Sequence, residues 1–240
     1  MARSPSAEPG IRPIVCDWDA TSHLPGPSRN SPVWRELLAG CDGLLAPVVL
    51  NRRLGELVPT ALTAVAGRVW AAGEVPLVLG GDHRLTHAVL TAAVHVFPAV
   101  RVHQFDAHHD AHPAPSLTNY SFMRYVVDRL GCEVVRHGCR EDGGPAATAP
   151  THPAAHSYLT VDLDYFDPAR FASVNYPVEV PAGEVYDLDR FTTTVATVAG
   201  GTRVIGADVV ERCADRASGE EVELVRRVLA TLISVLRGAG

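Results

Sequence analysis

Seven short apolar runs, rich in β-branched residues, recur along the chain at 11–18, 46–50, 75–80, 100–105, 132–137, 157–164 and 202–210. They are nearly continuous and do not alternate with polar residues, which predicts strands buried on both faces and hence a parallel sheet. Helical patterns fill the gaps. Ser31 and Pro32 form a capping pair before VWRELLAG, and the pattern over 57–72 ends at Gly73. The segment 84–97 stops before Pro98, and 119–130 stops at Gly131. In the last segment, 220–238, Val222, Val225, Leu229, Leu232 and Leu236 share one stripe. Strands alternating with helices predict an α/β three-layer sandwich around a central, mostly parallel sheet.

Residues 1–10 are rich in Ser, Pro and Ala and are expected to be a flexible N-terminus. Residues 141–156, rich in Ala, Pro and Gly, read as an irregular loop. No repeat is visible and no linker separates two compositional regimes, so 11–240 is read as a single domain.

Composition narrows the function. The 240 residues are 47% hydrophobic with a net charge of −6 and no basic block, which argues against a nucleic-acid or anionic-membrane surface. No stretch approaches the roughly 20 apolar residues that span a bilayer, and the N-terminus lacks the apolar core of a secretory signal. Five scattered cysteines without a C-x-x-C pair suit a reduced, cytoplasmic thiol set. Eleven histidines are many for this length, and they cluster.

Three predicted strand ends carry unusual chemistry. VPLVLGGDH places Asp82 and His83 just past a strand, with Gly80 and Gly81 to turn the backbone. VRVHQFDAHHD supplies Asp106, His108 and Asp110, whose spacing puts them on one side wherever the chain stays extended. SYLTVDLDYFDP supplies Asp162 and Asp164. Ligands of open parallel sheets collect beyond the carboxyl ends of the strands, where all three motifs fall. Four carboxylates and two imidazoles cannot share a pocket without cations, because like charges would raise several pKa values. Two divalent ions would offset the charge, and oxygen-dominated ligation with some nitrogen suits manganese better than zinc or nickel. Such a pair can generate a nucleophile at neutral pH.

GGDH, then DAHHD, then D-x-D-x-x-D-P is the motif order of the ureohydrolases, and from about residue 75 to 215 the chain resembles that arginase and agmatinase family. The resemblance implies an arginase-like fold and a manganese amidinohydrolase that releases urea from a guanidino substrate. It implies that His83 and Asp110 hold one ion, that His108 and Asp164 hold the other, and that Asp106 and Asp162 bridge the two. IGADVVERC (205–213) looks like the family strand that ends in an Asp and a Glu, which makes Glu211 the acceptor of the substrate guanidinium. A carboxylate at a strand edge also suits a planar cation on chemical grounds alone. Asp110 would relay a proton to the leaving amine, and a homo-oligomer is implied.

The departures from the family pattern are specific. Where the family carries a proton-shuttling His-Gly pair after DAHxD, this chain reads PSLTNYSFMRYV, which makes Asn119 a substrate-binding candidate and His109 or His112 the replacement bases. The stretch from Asp110 to Asp162 is shorter than usual, and no loop for a free amino acid is recognisable. The substrate is therefore expected to be bulky, such as a peptidyl arginine or a guanidino natural product. Trp18, Trp34 and Trp70 read as core, while His87, His95 and His103 need no function. Two other functions stay open: a zinc-dependent amide deacetylase of the same sheet architecture, and a metal-bound protein without catalysis.

Overall fold

The computed structural model describes residues 8–19, 31–141 and 156–238. The expected flexible start and the expected loop at 141–156 fall mostly outside these residues. The strands are β1 (Ile11–Cys16), β2 (Val48–Leu50), β3 (Val75–Leu79), β4 (Val100–Phe105), β5 (Glu133–His137), β6 (His156–Asp162) and β7 (Arg203–Val210). The helices are α1 (Ser31–Ala39), α2 (Val58–Ala71), α3 (Leu85–Val96), α4 (Phe122–Leu130), α5 (Leu188–Gly201) and α6 (Gly219–Arg237). All seven apolar runs form strands of one sheet, ordered β2-β1-β3-β7-β6-β4-β5, and every pairing is parallel.

Two apolar cores cover the two faces. Helices α1, α5 and α6 pack on one face against Val15, Leu77, Leu79, Val161 and Val209. Helices α2, α3 and α4 pack on the other against Ile14, Val78, Val102 and Ile205. Neighbouring strand residues go to opposite cores, as the two-residue period of a strand requires. Among the described residues, no helix is long and apolar enough to cross a membrane.

Helix α5 is absent from the hydrophobic pattern as read from sequence. Its stretch LDRFTTTVATVAGG is crowded with β-branched residues and ends in two glycines, all poor helix formers. Packing outweighs propensity here: Leu188, Phe191 and Val195 are buried, and the Asp187 side chain accepts the Arg190 N–H to cap the start.

Two features of this frame set up the site. The four strands whose ends carry the polar motifs, β3, β7, β6 and β4, are adjacent in the sheet. Chain motifs far apart in sequence therefore emerge side by side. Helix α6 begins with a capping box in which Ser218 and Glu221 satisfy each other's backbone N–H. The buried Glu221 also accepts the N–H groups of Ala172 and Ser173 at 2.7 and 2.9 Å, which fixes the loop after β6.

Gly81 is needed for a reason other than turning. It does not take a left-handed conformation, but a Cβ there would lie 1.6 Å from the Trp18 carbonyl oxygen, itself a partner of the Asp82 N–H at 3.1 Å. A backbone neighbour cannot swing aside like a flexible side chain. Gly81→Ala is expected to lose about 1–3 kcal/mol, the scale of overpacking. Urea unfolding would show it as a lower midpoint at unchanged m-value; an unchanged midpoint would mean that the Trp18 loop gives way freely.

Candidate metal centre

Each motif is held by backbone N–H groups that take one carboxylate oxygen and leave the other to face inward. Asp106 Oδ1 accepts from the His108 N–H at 2.6 Å, Asp162 Oδ1 from the Asp164 N–H at 2.9 Å, and Asp164 Oδ1 from the Ala107 N–H at 3.0 Å. These local turns end the strands. β4 stops at Phe105 and β6 at Asp162, with Asp164 on a short 3-10 turn. Strand alternation is therefore not what gathers Asp106, His108 and Asp110 on one side. The chain coils after Asp106, and Asp110 itself sits at φ 48°.

The inward atoms converge. His83 Nδ1 lies 3.2 Å from Asp106 Oδ2, 3.0 Å from Asp110 Oδ2 and 3.3 Å from Asp162 Oδ2, yet makes no hydrogen bond of acceptable geometry with any of them. His108 Nδ1 lies 2.8 Å from Asp164 Oδ2 and 3.6 Å from Asp106 Oδ1. Two groups able to hold a cation result, His83/Asp106/Asp162 and Asp106/His108/Asp164, and Asp106 belongs to both. A buried nitrogen surrounded by carboxylate oxygens without hydrogen-bond alignment is the donor set of a metal ligand shell. The residues present fit divalent ions.

Electrostatics points the same way. With protein groups alone, burial and then the neighbouring Asp106 push the Asp110 carboxyl up to about 8. Burial likewise raises Asp162, and burial with Asp162 and Asp106 raises Asp164 well above the usual carboxylate range. Against the opposing effect of burial, Asp106 and Asp164 push the His108 imidazole up to about 12. The cluster retains protons because its four buried carboxylates outnumber its two imidazoles.

Glu211 completes the wall. It lies just past β7 at φ 60°, and it shares a left-handed backbone with Asp110 alone among the described non-glycine residues. Strain of this kind concentrates at functional sites. Its N–H donates to the Gly81 carbonyl at 2.9 Å, and its Oε1 accepts the His83 N–H at 2.9 Å. Its Oε2 is buried without a hydrogen-bond partner among the described residues. Burial, followed by Asp162 and Asp82, raises its pKa well above the ordinary value.

All of these groups but Asp106, which lies beneath them, open into one cavity of about 190 Å³, also lined by His112, Asn119, Tyr120, Glu141, Asn175 and Tyr176. Asn119 therefore faces the site. His109 does not line it. The Ala111 N–H donates to His109 Nδ1 at 3.0 Å, which places the proton of the neutral ring on Nε2, 3.3 Å from Glu141 Oε2. Glu141 Oε1 lies 2.8 Å from His112 Nε2. His109, Glu141 and His112 thus form a hydrogen-bonded strut at the cavity wall, and His109 supports Glu141 from behind.

Sequence reasoning passed over Glu141, Arg140, Asn175 and Tyr176. Arg140 donates to the Asp164 and Tyr165 carbonyls at 2.8 and 3.0 Å and so clamps the turn that carries Asp164. Nothing in the local pattern marks it, because its partners come from another strand end.

If Asp106 and Asp162 each serve both ions, replacing either with Asn removes one bridge. Asp106→Asn and Asp162→Asn should then retain one Mn²⁺ or fewer per chain after dialysis, with far-ultraviolet circular dichroism unchanged. Two ions retained at wild-type affinity would show that the carboxylate is dispensable.

Comparison with known proteins agrees with this geometry. The arginase family model matches residues 46–144, a stretch that contains GGDH and DAHHD. An agmatinase from Bacillus anthracis is 26% identical over 165 residues, spanning 58% of this chain and 56% of the relative. A formimidoylglutamase from Chromobacterium violaceum is 29% identical over 215 residues, spanning 72% of this chain and 64% of the relative. The chain thus matches little more than half the length of these curated relatives. The crystal structure of an arginase from Bacillus subtilis superposes with a TM-score of 0.78 at 17% identity, covering 95% of this chain and 98% of that one, which establishes the shared fold. By its motif order, its matched segment and its sheet, this chain resembles the arginase family.

Proposed function

We propose that the protein is a dinuclear manganese amidinohydrolase that cleaves a guanidino group to release urea and an amine. One observation carries the reading: Glu211, on the wall of the cavity that holds the convergent ligand set, has a buried carboxylate oxygen without a partner among the described residues. A planar guanidinium supplies the paired N–H donors and the positive charge which that oxygen lacks.

His83, Asp106, His108, Asp110, Asp162 and Asp164 would hold the ions. Bound divalent ions supply Lewis acidity and a nucleophile at neutral pH. The protein's own groups do the rest. Glu211 holds the guanidinium and orients its carbon toward the floor of the cavity. Asp110, which lines the cavity, is placed to pass a proton from the nucleophile to the leaving amine. Asn119 and His112 contact the body of the substrate, and Glu141 fixes the orientation of the His112 ring. A zinc deacetylase would leave His83 and Asp110 without a role, which makes that reading less economical. The five free cysteines suit a cytoplasmic setting.

The lining also speaks to the substrate. Among the described residues lining the cavity there is no arginine or lysine, so a substrate carboxylate meets no counter-charge there. A guanidino group on a body without a free carboxylate, such as an arginine within a peptide, fits better than the free amino acid. A larger body also supplies binding energy that a short molecule lacks.

Two measurements test this. Glu211→Gln should keep both metals and lose roughly 10- to 100-fold in kcat/KM for urea release, the equivalent of a charge-assisted pair contributing about 1.5–3 kcal/mol. Activity equal to wild type would remove Glu211 from the substrate site. An acylated, amidated arginine peptide should exceed free arginine in kcat/KM by at least about tenfold, or roughly 1.4 kcal/mol. A preference for the free amino acid would overturn the substrate assignment while leaving the chemistry intact.

A further inference from the structure

Asp208 is fully buried on β7, is not among the candidate ligands, and is no part of the chemistry above. It accepts three hydroxyl groups: Thr160 Oγ1 at 2.7 Å, Thr86 Oγ1 at 2.9 Å and Tyr158 OH at 3.0 Å. Thr160 lies opposite Asp208 in the register of β6 and β7, and its Oγ1 is also 2.8 Å from His83 Nε2. The chain Asp208–Thr160–His83 therefore runs from the middle of the sheet to the site.

Proton counting gives the chain a direction. A threonine hydroxyl has one proton, and Thr160 gives it to Asp208, which as a carboxylate can only accept. Thr160 must then accept from His83, so the His83 ring carries its proton on Nε2. A neutral ring with Nε2–H has its lone pair on Nδ1, the atom that faces Asp106, Asp110 and Asp162 at 3.0–3.3 Å. The ring plane is set as well, since His83 is buried and packs against Phe122 at 4.5 Å between centroids.

We infer that Asp208 and Thr160 form a buried relay that fixes the His83 tautomer, so that Nδ1 is always the atom offered to a metal ion. Asp208 and Thr160 are positioning residues, and their role rests on the metal-centre reading above. Replacing such an orienting partner commonly weakens metal binding by roughly 10- to 100-fold.

Mn²⁺ titration of the metal-free protein by isothermal calorimetry tests the relay without reference to turnover. Thr160→Val should weaken binding of one of the two ions by roughly 10- to 100-fold. Thr160→Ser, which restores the hydroxyl, should return the affinity to within a few-fold of wild type. Thr86→Val removes a hydroxyl that touches Asp208 and, at 3.1 Å, Thr160 but not His83, so it should lower the thermal midpoint while changing Mn²⁺ affinity less than Thr160→Val does. Equal losses in Thr160→Val and Thr86→Val, or none in either, would reduce Asp208 to an ordinary core network. A second measurement needs no variant: ¹⁵N–¹H spectra of the wild-type protein loaded with diamagnetic Zn²⁺ should show His83 with Nε2 protonated and Nδ1 bound. The opposite tautomer would overturn the relay even if metal binds normally. Failure of the wild type to bind either ion would overturn the metal centre itself, and with it the relay.

Discussion

Charge neutrality at one buried point governs this molecule. Four aspartates bring their carboxylates within reach of two imidazoles in a largely buried place, and like charges so placed cannot all be ionised without cations. Hydrogen bonds alone do not relieve the problem. Each backbone N–H satisfies one oxygen of Asp106, Asp162 or Asp164, while the oxygens that face the centre, that of Asp106 with an added Gln104 side-chain N–H at 2.8 Å, remain crowded around the histidines. The fold appropriate to this demand brings several strand ends to one place. A parallel sheet does so, because all its carboxyl ends emerge on one edge and its interior strands can be chosen from anywhere in the chain. Here β3, β7, β6 and β4 are the choice.

The backbone bears part of the cost. Asp110 and Glu211, the two described non-glycine residues in the left-handed region, are the residues that must turn a side chain back across the end of its strand. Such conformations cost on the order of 1–3 kcal/mol each and persist only where the surroundings dictate them. For Glu211 the surroundings are its own N–H on Gly81 and its carboxylate on the His83 N–H. The same Gly81 must be small to lie against Trp18. One glycine thus serves three neighbours: the Trp18 loop, the start of the His83 segment and the turn at Glu211.

How much of this could be read from the sequence depends on the range of the forces involved. The strands were legible because burial on both faces leaves unbroken apolar runs, and the ligand motifs were legible because aspartates and histidines are rare directly after such runs. Helix α5 was not, since its threonines and glycines oppose the helix that packing imposes. Asp208, Thr160 and Arg140 were illegible for another reason. Each is a single polar residue whose partners are fixed by strand register or by a neighbouring loop, and neither leaves a mark within a short window. Asp106, His108 and Asp110 do not lie on an extended strand. Their convergence comes from turns built by their own carboxylates.

The floor and the wall of the cavity follow different rules as a result. The floor is built on strand ends and is stiffened from beneath, by the hydroxyls around Asp208 and by Arg140 on the Asp164 turn. Its geometry is set by the sheet and leaves little freedom for variation. The wall rests on lighter supports. Glu141 depends on His109 and His112, with burial opposed by the His109 N–H and the His112 ring so that its carboxyl stays below the usual range. Tyr176 and Asn175 hang from a loop that Glu221 pins from a distant helix. Substitutions in the wall can change which molecule fits without disturbing the charge balance beneath it. A short connection between Asp110 and Asp162 is therefore compatible with an intact floor, and its effect falls on the wall.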